Sequence, residues 1–443
     1  MRHPEKGIAL RTFALVCLAT FAPALATAAD DFRPQVEQEL PSLLAIYKDL
    51  HTHPELSKHE ERTSAFLAAQ LGEAGYTVTD HIGRYADGSP ALGLAAILKN
   101  GAGPTVLVRT EMDALPVEER TGLPFASQNA GVMHACGHDL HMTSFLGTAR
   151  LLAKLKDRWS GTLMLIGQPA EETVSGARAM LADDLYARLG KPDYAIALHD
   201  EPSIEAGKVG VLAGPLLASS TSVDVTIRGL GGHGARPELT KDPVVMAAQF
   251  ILALQTIVSR QIPPLEPAVV TVGSIHGGSK HNIIPDEVVL QLTTRCYSDD
   301  VRRTILAAIE REARGVALAA GVPDDRAPIV KVNEAETAPV TYNDPKLAAR
   351  LRGAFVAELA EGNVVEAKRL MVSEDFGLFG LEGRQIPTCM FFLGAADPAK
   401  LAESLRTGTP LPSLHSSLFY PQAEPALRTG ILAMTSAVIE LMK

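Results

Sequence analysis

Cysteine is too scarce here for a disulfide scaffold. Four occur in 443 residues, and the three beyond the N-terminal segment, Cys136, Cys296 and Cys389, are odd in number and widely spaced. That excludes the cross-linked framework of small secreted folds. Aromatic residues are also few, 5% of the chain with one tryptophan, against 46% hydrophobic residues in all. Such a core is built from Ala, Leu and Val, as in soluble α/β proteins. Positive charge is in deficit, with 41 Lys and Arg facing 51 Asp and Glu. A formal charge of −10 argues against nucleic acid and anionic membrane surfaces as partners. Repeats and low-complexity tracts are missing.

The one N-terminal apolar run, residues 12–25, is too short and too interrupted by Pro23 to span a membrane. With Arg2, Lys6 and Arg11 before it and the small residues Ala26-Thr27-Ala28-Ala29 after it, it reads as a signal peptide over residues 1–28. Cys17 follows Leu15-Val16, where a lipidated cysteine would need a small residue. The mature protein is therefore expected to be exported, to a periplasm, with no membrane attachment after signal removal.

What remains is longer than one core usually supports, so two domains are expected. Residues 34–50 and 60–74 read as helices, flanking His51 and His53, for which capping or packing roles are expected. Short apolar runs at 92–98, 105–109, 162–166 and 194–198 read as buried strands, with a helix at 141–156. Strands alternating with helices imply a mostly parallel, mixed sheet covered on both faces. From about residue 216 the pattern changes. Strands at 221–228, 268–275, 288–296 and 329–333 enclose helices at 243–258 and 301–320, the β-α-β-β-α-β order of a ferredoxin-like α+β domain. The fold class is thus α/β: a catalytic domain over 30–215 and 339–443, with a lid or dimerisation domain inserted at 216–338. Strand 221–228 is expected at the edge of the inserted sheet, open to pairing.

The chemistry is concentrated in His134-Ala135-Cys136-Gly137-His138-Asp139-Leu140-His141, where three histidines, a cysteine and an aspartate fall within eight positions. Imidazole and thiolate suit zinc and its neighbours, while carboxylates suit harder ions. Gln168-Pro169-Ala170-Glu171-Glu172, Leu198-His199-Asp200 and Ser413-Leu414-His415-Ser416 add further donors at or beyond predicted strand ends, where α/β sheets place their sites. Donors scattered along the chain and joined only by the fold are the design of a catalytic metal site.

With Glu111-Met112-Asp113-Ala114-Leu115-Pro116, Gly232-His233, Asn282-Ile283-Ile284-Pro285-Asp286 and Ser373-Glu374-Asp375-Phe376, these segments resemble the M20 metallopeptidases, in their amidohydrolase branch. That branch contains hippurate hydrolases, N-acyl-amino-acid deacetylases and indoleacetyl-amino-acid hydrolases. The resemblance extends from about residue 31 to 443. It implies two divalent ions per subunit (Zn, Mn, Co or Ni) on Cys136, His138, Glu172, His199 and His415, with Cys136 between them, and Glu171 as general base. It implies that His233 stabilises the oxyanion, often from a partner subunit, and that Asn282 and Arg295 hold the substrate, whose free carboxylate suits an arginine fork. The expected substrate is an N-acyl amino acid, or in the alternative a dipeptide, and a homodimer is expected. A dipeptidase or carboxypeptidase is the runner-up function, and a periplasmic solute-binding protein the least favoured. Glu111 departs from the Asp that many relatives carry. His134 and His141 are expected beside the ligands or capping a helix, Asp113 orienting a ligand histidine, and Glu374-Asp375 in a structural loop near the site. Cys296 is expected to be an inert core residue.

Overall fold

A computed structural model describes residue 1, residues 31–381 and residues 383–443. The expected signal segment, Met1 apart, lies outside the described residues up to residue 28. The chain opens with α1 (Arg33–Thr52) and α2 (Glu61–Glu73), then β1 (Thr77–Arg84), β2 (Pro90–Asn100) and β3 (Thr105–Glu111). Next come α3 (His138–Lys154), β4 (Gly161–Gln168), α4 (Gly176–Ala182), α5 (Leu185–Leu189), β5 (Tyr194–Glu205) and β6 (Val209–Val211). After β7 (Gly214–Leu217) follow β8 (Ser219–Arg228), β9 (Gly232–His233), α6 (Pro243–Thr256), β10 (Ala268–Gly277) and β11 (Ile283–Ile284). Then come β12 (Glu287–Cys296), α7 (Asp299–Ala319) and β13 (Ile329–Ala338). The last stretch is β14 (Thr341–Asn343), α8 (Pro345–Leu359), β15 (Val364–Glu366), β16 (Thr388–Ala396), α9 (Pro398–Thr407) and α10 (Ala423–Met442).

Eight strands form one sheet in the order β1-β2-β4-β3-β5-β16-β6-β15. Its centre, β4-β3-β5-β16, is parallel, while β1, β2 and the β16–β6 pairing are antiparallel. The central strands are apolar without alternation because both faces are covered. Leu43 and Leu50 of α1, Leu146 of α3, Phe355 of α8 and Ile431 of α10 pack on one face. Met180 of α4, Leu185 of α5, Phe376 and Phe379 pack on the other. Three helices begin with Asp-Pro: the carboxylates of Asp242, Asp344 and Asp397 each accept two backbone N–H groups of α6, α8 and α9. Proline at the first turn gives up an N–H that had no helical partner.

The second sheet is antiparallel, in the order β10-β12-β8-β13. With α6 and α7 packed over Val223, Val225, Leu290 and Leu292, it has the ferredoxin-like topology. One expectation fails: strand 221–228 is not an edge. β8 lies between β12 and β13, and the edges are β10 and β13. The alternation in β8 records a helix-covered face and an open face, and it carries no information about lateral neighbours. On this sheet β10 exposes Ile275, and α6 leaves Val244, Val245 and Leu252 exposed.

Candidate metal centre

Strand ends of the large sheet bring the donor segments together. β3 leads into Asp113, β4 into Glu171 and Glu172, β5 carries His199 and Asp200, and the start of α3 carries His138 just after Cys136. The α3 turn needs its glycine. Gly137 has φ +73°, and a Cβ there would stand 2.6 Å from the Asp200 carboxylate. Gly176 closes the turn after β4, where a Cβ would overlap the Pro169 carbonyl oxygen at 1.5 Å. His415 holds a left-handed φ of +66° and is fixed by its backbone N–H, which donates to the Ala135 carbonyl at 2.8 Å.

Two donor groups share Cys136. Cys136, His138 and His199 form one, Cys136, Glu172 and His415 the other, and in each group the donor atoms lie within 4.8 Å of one another. Cys136 Sγ is 3.7 Å from His199 Nε2, and His415 Nε2 is 3.5 Å from Glu172 Oε2. The imidazoles are aimed from behind: Nδ1 of His138 donates to the Asp113 carbonyl at 2.8 Å, and Nδ1 of His199 to the Asp200 carbonyl at 2.8 Å. Both Nε2 atoms are thereby left facing the cluster, the arrangement of metal-binding histidines. Asp113 also accepts the Glu172 N–H at 3.0 Å and the Ser57 hydroxyl at 2.6 Å.

Divalent cations fit this donor set. His138 Nε2 and Glu172 Oε1 are buried with no hydrogen-bond partner among the described residues, an arrangement that is costly unless something else satisfies them. Burial and the surrounding carboxylates push the Cys136 thiol well above its ordinary range. Burial pushes Glu172 up to about 7 and, together with Glu374 and Glu172, lifts Glu171 well above the usual carboxylate range. Burial lowers His199 and His415, favouring the neutral form that ligates. Acids crowded in a dry place are pushed toward their protonated forms, and the nearby carboxylates, opposed by burial, raise His138 to about 10; bound cations would take the place of those protons.

Under the cluster lies a polar floor. Arg109, 2% exposed, contacts Glu111, reaches Glu374 at 2.7 Å and Asp375 at 3.1 Å, and donates to Gln168 at 2.8 Å. Glu374 and Asp375 are thus tied into this network. Glu111 also meets Nδ1 of His141 at 3.1 Å, whose Nε2 accepts the Asp200 N–H at 2.8 Å. His141 therefore bridges Glu111 to Asp200, and the longer Glu111 reaches both His141 and Arg109. Among the described residues neither ring nitrogen of the buried His134 has a hydrogen-bond partner, and burial drives its pKa down to about 4. His51 lies against the Tyr47 and Phe125 rings and bridges Asp139, at 2.6 Å, to Glu119, at 3.2 Å. His53 meets the Asp49 carbonyl. Cys296 is buried against Ser219.

The cluster opens into a cleft of about 1070 Å³ that takes in Cys136, Glu171, Glu172, His199 and His415 from the large sheet and Arg295 from β12. Arg295 donates to Ser373 Oγ at 2.6 Å, across from the inserted sheet to the loop bearing Glu374. His233 and Asn282 do not line this cleft. They come together elsewhere, on the exposed β9–β11 ribbon, where the Gly234 N–H donates to the Asn282 carbonyl at 2.9 Å. Arg109 and Glu60 also belong to the site's surroundings, with no motif in the sequence to mark them. A buried charge closing the apolar strand Val106-Leu107-Val108 was the available signal for Arg109.

A two-sheet α/β fold with a cysteine-centred cluster of His and Glu donors defines a metal-dependent hydrolase. Residues 107–406 match the model of Peptidase family M20/M25/M40, and the chain belongs to that family. It is 38% identical over 359 residues, 80% of each chain, to the N-acetyl-L-cysteine deacetylase of Bacillus subtilis (strain 168). It is 36% identical over 341 residues to a hippurate hydrolase of Campylobacter jejuni, covering 75% of this chain and 84% of that one. Among solved structures, a putative aminohydrolase from methicillin resistant Staphylococcus aureus superposes with a TM-score of 0.81 at 30% identity, covering 93% of this chain and 99% of that one. A dinuclear metal binding peptidase of the M20 family from Bacillus subtilis gives 0.74 at 28% identity, covering 92% and 99%.

Proposed function

We propose that this protein is exported and hydrolyses the amide bond of N-acyl amino acids, with two divalent ions held by Cys136, His138, Glu172, His199 and His415. The observation that carries the reading is the pair of donor groups sharing Cys136, with the Glu171 carboxylate buried beside them. The names of the relatives, a deacetylase and a hippurate hydrolase, support the substrate class. Bound ions would acidify the attacking water and polarise the amide carbonyl. Glu171, its pKa raised by burial and by Glu374 and Glu172, takes the proton of that water and returns it to the leaving nitrogen. Arg295 meets the free carboxylate of the substrate from the cleft wall.

His233 and Asn282 complete the site of a second copy, His233 at the oxyanion and Asn282 on the substrate. Their exposure on a ribbon outside their own cleft supports this, as do the exposed apolar residues of α6 and the open edge of β10. The test is a panel of N-acetyl and N-benzoyl amino acids beside dipeptides, run with added Zn, Mn, Co or Ni and after chelation, with metal analysis of wild type and Cys136→Ser. N-Acyl amino acids should turn over only with metal, and the serine variant should bind less of it. Dipeptides cleaved faster than every N-acyl amino acid would overturn the substrate assignment, and full metal in Cys136→Ser would overturn the ligand assignment.

A further inference from the structure

The turn that presents Glu171 is strained and needs a clamp. Ala170, just before it, sits at φ +51°, and Val174, three residues on, at φ +54°, in the left-handed region that residues with a Cβ avoid. Such conformations persist only where the surroundings over-determine them. Two buried carboxylates grip this turn. Asp113 accepts the N–H of Glu172, and Glu60 accepts the N–H of Ala170 at 2.8 Å. Glu60 comes from a distant part of the chain, at the start of α2, and is fully buried. The same oxygen, Oε1, also accepts the N–H of Lys58 at 3.0 Å, and Lys58 is itself left-handed at φ +71°. Lys58 and Tyr85, with the Lys58 ammonium 4.7 Å from the ring centre, stand on the wall of the cleft.

We propose that Glu60 is a positioning residue for the hydrolytic reaction, a buried acceptor that locks the left-handed turn at Ala170 and so sets the direction of the Glu171 carboxylate, while tying that turn to the Lys58–Tyr85 wall of the cleft. The inference rests on Glu171 being the general base. Glu60 touches neither the donor cluster nor the cleft, and it acts through the backbone it holds. Burial, with Asp113 nearby, raises its pKa to about 8. A neutral carbonyl-type acceptor is all that the two N–H groups require, and a glutamine amide supplies one.

The experiment compares Glu60→Ala, Glu60→Gln and Ala170→Gly, with the double variant that joins Glu60→Ala to Ala170→Gly, on the metal-loaded enzyme. Glu60→Ala should lower kcat about 10²-fold, the scale of a misplaced catalytic group, with KM and bound metal close to wild type. Glu60→Gln should recover most of that loss. Ala170→Gly removes the Cβ that opposes a positive φ, so adding it to Glu60→Ala should return part of kcat. A purely structural role would instead shift the melting temperature without this split between kcat and KM, and without selective rescue by Ala170→Gly. Wild-type kcat in Glu60→Ala, or Glu60→Gln as damaged as Glu60→Ala, overturns the proposal. If the alanine variant does not fold, Glu60→Met, which fills the space without an acceptor, is read in its place. Glu171→Gln separates the two claims: full activity there defeats the assigned base, whereas its inactivity beside a normal Glu60→Ala defeats only the clamp.

Discussion

The floor of the cleft and the β9–β11 ribbon are built on opposite terms. On the floor, Arg109, Glu111, His141, Asp200 and Asp113 are buried and hold one another or the donors at hydrogen-bond distance. On the ribbon, His233 and Asn282 are exposed and shaped by little beyond the local backbone. A rigid floor fixes donors that must converge within a few ångströms, while an exposed histidine is available to a neighbour. Floor residues should therefore fail through geometry and stability, and the ribbon residues, on the proposed shared site, through assembly.

The largest effect should come from the proposed base. Glu171→Gln is expected to keep its fold and metal and to lose about 10²- to 10⁴-fold in kcat, the usual share of a general base. Steady-state kinetics with metal analysis checks this, and near-normal turnover in the metal-loaded variant would remove Glu171 from the mechanism. Next is Arg109→Met, which strips the guanidinium from Glu111, Glu374 and Asp375 while filling the space. Removing one side of a buried charge network typically costs about 3–5 kcal/mol. Urea unfolding should register it, and a loss under about 1 kcal/mol would show that the floor does not depend on that cation.

Where sequence reading worked, it worked because a side chain's chemistry is local. The run His134 to His141 contains donors whatever the fold, and apolar stretches such as 162–166 are strands because nothing else buries them. The ferredoxin-like order followed from alternation and helix length in the same way. What stayed illegible was lateral and long-range. Nothing in 221–228 distinguishes a central strand from an edge, since its neighbours β12 and β13 are chosen by topology. The short strands β6, β14 and β15 carry three residues each, too few for a period to show. Glu60 looks like any helix-start glutamate until its carboxylate is seen on the Ala170 N–H.

The ribbon is tested by exchange. His233→Ala should lower kcat about 10²- to 10³-fold, the cost of one oxyanion donor. Mixed with Glu171→Gln under conditions of proven subunit exchange, it should regain activity, because a symmetric mixed dimer has one site with both residues intact. At random exchange about a quarter of the sites recover. With His233 acting in its own subunit, every site lacks one residue and the mixture stays inactive. A monomer by sedimentation has the same force against sharing and leaves the floor untouched.

The smallest effect belongs to a carboxylate outside both regions, and it calibrates them. Glu39 on α1 meets the Lys154 ammonium at 2.5 Å and the Arg150 guanidinium at 3.3 Å, joining α1 to α3. Burial alone would raise its pKa, but the two cations outweigh burial and hold it below the ordinary glutamate value. A depressed carboxylate stabilises the fold above its unfolded pKa, and that contribution disappears as pH falls through the folded value. With Glu39 20% exposed and Lys154 55% exposed, solvent screens the pair, so Glu39→Gln should cost no more than about 1 kcal/mol at pH 7. The deficit should shrink with added salt and vanish in acid below the lowered pKa, as urea unfolding of both proteins across that range would show. A deficit that persists there would mean that Glu39 acts through packing and not through charge. It would then be a poor control for the floor, where Arg109 is fully enclosed and salt should make little difference.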